Sequence, residues 1–548
     1  MYHSRLKYQL IFLGYLLLFS LFYYPFVYND LLPGRIDSWF NLGIFKNYAN
    51  IINASLTNSP IYLANYPEGK VFLYGESSLL SGLFFWILSL FFHKDLQAYI
   101  AFYILIQTLN SFSFALFVKT YLETDYISAF SGGLFFSFSA FNLGFFDNIV
   151  YSIWFPLFFS LYLLSKLSVS SFRNSILTAL SLYSLLYFSV YNFFMGIIII
   201  LSFSVIYNLK EKQHLKKLVF SFLLFSPLII PFVYLYAINP KINESFTNYL
   251  TLDLIDTLGF RSEHLLKSFQ SNFIYGSGFS PKYQEVNYYW TLGWHGISVL
   301  ILFLIGILSS EKKLLFFCFS LIILGITLSF GPFWAELKGP SYYLYRLLPI
   351  LTQFKLIFKF YYLVHIGIIL LAIQGMKGLR TKVRNLNYIP FILTCVFLAE
   401  NLPTNPLEFS TPFYFPELKK EDLVRLKSQN KSTLFLPMCA PMFPEEDNKA
   451  CFVEGRAIEF RYLYWQARFK INFLNGANGT IPDNRMEING IFQNNEFLKA
   501  IYILKQSHHL SHIFFDKKSS ISFNNPDPNE LKQFLRYKET QDYIIFTL

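Results

Sequence analysis

GRIDSWFN (Gly34–Asn41) closely follows YQLIFLGYLLLFSLFYYPFVY (Tyr8–Tyr28), and the step between them decides how the chain is read. An apolar run of about twenty residues crosses a bilayer as one helix. The basic stretch Met1–Lys7 ahead of it predicts a cytoplasmic N-terminus. The run is too long for a removable leader and lacks a small-residue cleavage site, so it reads as a retained anchor. Asp37 then falls just outside the membrane on a short tether, with Trp39 and Phe40 beside it. An ionisable group there can meet a lipid-linked substrate.

Composition agrees with a polytopic membrane protein. The chain is 54% hydrophobic and 14% charged, with 66 Phe and 39 Tyr, against about a quarter charged residues in soluble domains. The net charge of +11 does not point to nucleic acid, because the cations gather in short loops. These hold Lys119; Lys166 and Arg173; Lys210, Lys212, Lys216 and Lys217; Lys312 and Lys313; and Lys377, Arg380, Lys382 and Arg384. They recur after every second hydrophobic run, which is how positive-inside topology is written.

The runs predict about eleven spans, at 8–28, 97–118, 126–143, 149–165, 174–191, 193–209, 218–238, 289–308, 314–334, 355–376 and 387–401. The stretch 79–92 is about fourteen residues long, short for a crossing and typical of an interfacial helix. Leaving it outside the count puts every basic cluster on one side. The expected architecture is therefore mainly α. A transmembrane bundle occupies 1–401, with exterior loops at 29–96 and 239–288, and the tail 402–548 faces the exterior as a soluble α/β domain. In that tail Ser432–Pro437 and Tyr543–Leu548 read as strands, and Glu496–Gln506 and Pro528–Tyr537 as helices. Cys439 and Cys451 could pair in an oxidising exterior, although spacing alone does not establish it.

No phosphate-binding glycine loop, His-Glu-x-x-His or Cys-x-x-Cys motif occurs. His508, His509 and His512 crowd together but read as exposed helix face or loop, since metal ligands need convergent geometry. Asn53-Ala54-Ser55 fits a glycosylation sequon, read as chance. What remains is a set of carboxylates assigned to one membrane face: Asp37, Glu76 at the entry to the interfacial helix, and Asp147 in the short outer turn Gly144–Asn148. Each also has a plain reading as a solvated loop carboxylate or helix cap.

The layout resembles the GT-C-type membrane glycosyltransferases, and more specifically a group of polytopic bacterial members of that superfamily. The resemblance rests on Asp37-Ser38-Trp39-Phe40-Asn41 after the first span, on Tyr66-Pro67 with Gly75-Glu76, and on Ser329-Phe330-Gly331-Pro332. It continues through Tyr345-Arg346-Leu347-Leu348-Pro349, Arg461–Gln466 and Asn475–Gly479. Two features depart from the group: a Gly-Asp opening is here Gly34-Arg35-Ile36-Asp37, and Lys355 and Lys359 stand where arginines are common. The resemblance implies a bacterial inner-membrane enzyme that takes a sugar from a polyprenyl-phosphate donor and passes it to a glycan or lipid acceptor. Such transfer needs a base, for which Asp37 is the candidate with Asp147 and Glu76 as partners. It also needs cations for the departing phosphate, for which Arg346, Lys355 and Lys359 are candidates. Those cations have an equally simple reading as residues snorkelling to lipid headgroups. Membrane lipids are the other expected partner. No cofactor or metal site is specified, and a divalent metal stays open. The alternatives are a lipid-linked glycan flippase and a non-catalytic envelope assembly protein. A flippase would place ionisable groups inside the bundle, where His365 is among the few this sequence offers.

Overall fold

The computed structural model describes residues 2–34, 37–61, 78–166, 172–208, 212–233, 293–330, 333–334, 337–347, 357–382, 388–427, 431–436, 456–472, 474, 491, 496–518 and 527–548. It is mainly helical with a small sheet region. Helices α1 (Tyr2–Tyr28), α2 (Asp37–Thr57), α3 (Leu79–Ser89) and α4 (Asp95–Tyr121) lead into α5 (Tyr126–Ser137), α6 (Ala140–Leu143) and α7 (Phe155–Ser165). Then come α8 (Phe172–Phe188), α9 (Val190–Asn208), α10 (Lys212–Phe225), α11 (Ile230–Val233), α12 (Ile297–Ser309) and α13 (Lys312–Ser329). After α14 (Pro340–Leu347), α15 (Tyr361–Lys382) and α16 (Ile389–Asn401), the tail carries α17 (Lys420–Leu426), α18 (Arg456–Phe469), α19 (Phe497–Ser507) and α20 (Pro528–Phe534). The strands are β1 (Leu31–Pro33), β2 (Phe333–Trp334), β3 (Leu337–Lys338), β4 (Ser410–Pro412), β5 (Ser432–Leu436), β6 (Leu510–Asp516), β7 (Arg536–Glu539) and β8 (Tyr543–Thr547).

The chain forms two compact units, one of residues 1–25 with 103–408 and the other of residues 26–102 with 409–548. Residues 26–102 thus pack with the tail.

Among the described residues four helices are long and apolar enough to cross a membrane: Arg5–Tyr28, Asp95–Tyr121, Lys312–Ser329 and Phe358–Thr381. Six further apolar helices are shorter. The α1 sequence shows why its surface suits lipid. Ile11, Tyr15, Phe19 and Tyr23, spaced four apart, form one buried face. Leu10, Leu13, Leu17 and Leu21 form an exposed one. Tyr15 stacks on Phe130 at 4.7 Å and its hydroxyl donates to the Phe130 carbonyl at 2.7 Å. In the same unit α12 lies directly on α15. A Cβ on Gly306 would sit 1.9 Å from the Leu371 carbonyl oxygen, and one on Gly375 2.0 Å from that of Leu302. Small residues permit such contact between apolar helices.

The expected spans 126–143 and 149–165 take a different form. Helix α5 ends at Ser137, and short turns over 144–147 and 149–152 precede α7. Buried amides hold the broken backbone. Asn110 Oδ1 accepts from the Trp154 and Phe155 amides at 2.8 Å, and Asn192 Nδ2 donates to the Tyr151 and Ile153 carbonyls at 3.0 Å. Irregular backbone inside an apolar bundle requires such partners.

The second unit contains a sheet ordered β5-β6-β8-β7. Strands β5 and β6 run parallel, with Leu434 beside Ile513, and β8 runs antiparallel to both β6 and β7. Leu434, Leu436, Leu504, Ile513, Ile544 and Phe546 make its core. The strands and first helix expected in the tail fall at β5, β8 and α19. The expected helix 528–537 instead stops at Phe534, because Arg536–Glu539 pairs with β8, placing Tyr537 opposite Phe546.

Candidate functional site

Asp37 opens α2 and is partly exposed. Its approach is held firmly. Strand β1 pairs antiparallel with β4, matching Leu31 to Pro412 and Pro33 to Ser410. Gly34 follows at φ +91°, a conformation that favours glycine. The Ser38 hydroxyl donates back to the Pro33 carbonyl. Trp39, buried next to Asp37, stacks on Phe413 with centroids 5.5 Å apart and planes within 11°. The carboxylate sits at the positive end of the α2 dipole, where negative charge is favoured. Asp37 is therefore positioned by the tail as well as by its tether to α1.

A second carboxylate of this unit, which sequence reasoning passed over, anchors α2 further along. Asp95 Oδ1 lies 2.7 Å from Lys46 Nζ, and Oδ2 accepts from the Tyr464 hydroxyl at 3.0 Å. Arg468 Nε stands 3.8 Å away. Burial, and then the Asp95 charge, push the Tyr464 phenol well above its ordinary pKa, so it stays a donor. The one available signal was polarity within an apolar setting: Asp95 begins a long apolar helix.

In the other unit, Asp147 ends the turn 144–147. Around it Phe145, Asn148 and Ile149 are all below 5% exposure. Phe145 stacks on Tyr362 at 5.4 Å and on Phe358 at 6.2 Å. Between those two residues' positions in sequence lies Lys359, 1% exposed. Its Nζ is 2.8 Å from the Tyr151 ring centroid and 3.6 Å from that of Tyr191. This is an aromatic cage for an ammonium, a geometry worth about 2 kcal/mol when desolvated. Lys359 does not snorkel. It ties the turn after Asn148 to α9 and to the segment entering α15.

Arg346 behaves oppositely. It lies in the last turn of α14, exposed, with its guanidinium 5.2 Å from the Tyr342 ring. The structure thus brings the Asp147 turn and Lys359 together in one unit, and Asp37 belongs to the other. Glu76, Lys355, Cys439 and Cys451 lie outside the described residues. His508 and His512, expected at the surface, are buried at the end of α19 and on β6. Among the described residues no group of three or more His, Cys, Asp or Glu is placed to hold a metal ion.

The first unit also holds a buried polar chain that only His365 hinted at. His365 Nδ1 is 2.9 Å from His295 Nε2, and its Nε2 is 3.2 Å from both Ser139 Oγ and the Phe136 carbonyl. Asn401 accepts from the Ala140 amide at 3.2 Å and donates to the His295 carbonyl at 3.3 Å. Glu400 accepts from the Ile297 amide at 2.9 Å and the Ser298 amide at 3.1 Å, capping α12. Compared with family models and with curated proteins, the chain matches none.

Proposed function

We propose that the protein is a bacterial inner-membrane glycosyltransferase of GT-C type. It moves a sugar from a polyprenyl-phosphate donor to an extracytoplasmic glycan or lipid acceptor, with Asp37 as general base. In this reading the chain crosses the membrane about eleven times, its N-terminus is cytoplasmic, and its tail is exterior. The observation that carries the reading is the setting of Asp37. A partly exposed carboxylate heads a helix, its backbone held by the β1–β4 pairing and by Trp39 on Phe413. A base must be positioned yet accessible to remove a proton as the acceptor hydroxyl attacks. Arg346, exposed on α14, is available to a diphosphate or monophosphate headgroup through paired N–H donors. Lys359 in its cage serves the fold rather than the phosphate.

A second reading, transport of a lipid-linked glycan, draws on the buried chain of His295, His365, Glu400 and Asn401, because ionisable groups inside an apolar bundle commonly mark translocation routes. One experiment separates the two. Membranes carrying Asp37→Asn are supplied with polyprenyl-phosphate sugar, and product is measured per unit of protein. Transfer by Asp37 predicts a loss of about 10²–10⁴ in turnover at unchanged abundance. Full turnover in that variant removes Asp37 as the base, and transport without transfer supports the second reading.

A further inference from the structure

A shallow groove with an enclosed volume of about 40 Å³ runs along the second half of α2, opposite Lys470 at the end of α18. Asn47, Asn50 and Asn53 recur every third residue and line it, with Ile51 and Thr57 between and beyond them. Among the described residues no carboxylate lines it.

The hydrogen bonds of these amides reveal what each leaves for a ligand. Asn47 Nδ2 donates to the Gly43 carbonyl at 2.9 Å, and Asn50 Nδ2 to the Ala467 carbonyl at 2.6 Å. Each therefore keeps its Oδ1 as an acceptor. Asn53 does the reverse: its Oδ1 accepts from the Trp86 indole N–H at 2.9 Å, leaving its Nδ2 to donate. Asn47 is 3% exposed although it lines the groove, a buried amide whose oxygen bonds to no described residue. Half of each amide is fixed by the protein and half is presented, so little side-chain entropy is lost on binding. The result is a row of two fixed acceptors and a fixed donor, with one ammonium opposite.

The geometry points to a carbohydrate-binding subsite on α2 that takes a hydroxyl-rich oligosaccharide, neutral or anionic. Adjacent sugar hydroxyls both donate and accept, matching alternating amide halves, and Ile51 offers apolar contact to a ring face. The Lys470 ammonium disfavours cationic ligands. Asn47 lies ten residues from Asp37 on the same helix, about 15 Å at 1.5 Å per residue. A bound acceptor chain could be gripped here at a distance from its reacting hydroxyl, and binding energy from such remote contacts serves to orient the reacting end. The identity of the ligand as acceptor rests on the transferase reading; the site itself does not.

The test uses full-length protein in a detergent without a sugar headgroup. Chitotetraose, maltotetraose and cellotetraose are titrated separately up to about 10 mM, a range that detects even millimolar affinity, with saturation-transfer NMR as readout. At least one should bind. Asn53→Ala and Lys470→Ala, both at exposed positions, should each weaken it about three- to tenfold, as expected for loss of one direct hydrogen bond. Asp37→Asn should bind it as the native protein does. Absence of binding by all three oligosaccharides, or binding indifferent to both groove substitutions, overturns the subsite. Groove-dependent binding in a protein that transfers no sugar would keep the subsite and end the transferase reading.

Discussion

Replacing Asp95 tests whether the buried ion pair holds α2, and with it Asp37, in place. Lys46 and Asp95 side chains are 15% and 6% exposed, and their 2.7 Å contact is joined by the Tyr464 hydroxyl at 3.0 Å. Asp95→Ala strands the Lys46 ammonium and the Tyr464 donor in a site with little water. Breaking a buried pair costs about 3–5 kcal/mol; the residual exposure of Lys46 places this one near the lower end, at about 3 kcal/mol. Asp95→Asn retains an acceptor and should cost about 1–2 kcal/mol. Arg468 is 47% exposed and 3.8 Å away, so Arg468→Ala should cost under about 1 kcal/mol. Hydrogen exchange reads these locally, which matters because one global unfolding energy is ill-defined for such a chain. Amides of α2 and α18 should exchange roughly a hundredfold faster in Asp95→Ala, at about 1.4 kcal/mol per decade. The double variant Asp95→Leu with Lys46→Met should recover most of the protection, since apolar replacement of a whole pair is often neutral. Unchanged exchange in Asp95→Ala, or a double variant as exposed as the single, would refute this account.

Three other outcomes follow from the geometry. Arg346→Ala should weaken binding of a polyprenyl phosphate about ten- to a hundredfold, with Arg346→Lys recovering only part because the fork is lost; unchanged binding returns Arg346 to a headgroup contact. Gly375→Ala needs its Cβ to move from 2.0 Å to ordinary contact at 3.4 Å, a shift of 1.4 Å (3.4 − 2.0) against the Leu302 backbone; a loss of about 1–3 kcal/mol is expected, and an undiminished melting temperature in detergent would show that α12 and α15 do not touch there. Asp125, which caps α5, is opposed by burial, but hydrogen bonds from Ser128 and Arg380 outweigh that and hold its carboxyl below the ordinary 3.8. A depressed carboxyl stabilises fully above its unfolded pKa and ceases to as pH falls through the folded one, so Asp125→Asn should be less stable than native protein at neutral pH, the gap closing only below about pH 4; a gap independent of pH would contradict this.

Much of the helical character was legible. The runs at Tyr8–Tyr28 and 97–118 become α1 and α4 because length and apolarity are local properties. So did β5, β8 and α19, whose alternation or helical spacing is visible within a few residues. Long-range partners were not. Strands β1 and β4 are three residues each, far apart in sequence, and no local pattern announces that Leu31 will meet Pro412. Hydropathy read 126–143 as one continuous span because it holds five Phe and no charged residue. It could not register that Asn110 on α4 and Asn192 on α9 would supply partners for an interrupted backbone. Lys359 read as a phosphate ligand or a residue snorkelling to headgroups since its aromatic cage comes from Tyr151 and Tyr191, each over a hundred and fifty residues away in chain order. Of the six candidate site residues, Asp37 and Arg346 keep settings compatible with chemistry, whereas Lys359 has a better use in holding the fold.

These placements share a physical logic. A carboxylate that must act on a hydroxyl must be held in register. The strand pair, the Ser38 bond to Pro33 and Trp39 on Phe413 constrain the chain on either side of Asp37. Further along α2, the Lys46–Asp95 pair adds rigidity to the same helix. A protein that wanted Asp37 only as a helix-end charge would not need β4 or Phe413, and a tail that served only as a separate module would not need to pair with residues 31–33 or stack on Trp39. That the two are joined in one compact unit makes the tail part of the scaffold of the carboxylate; under the transferase proposal, one helix would carry both the base and, in the groove beyond it, the grip on its substrate.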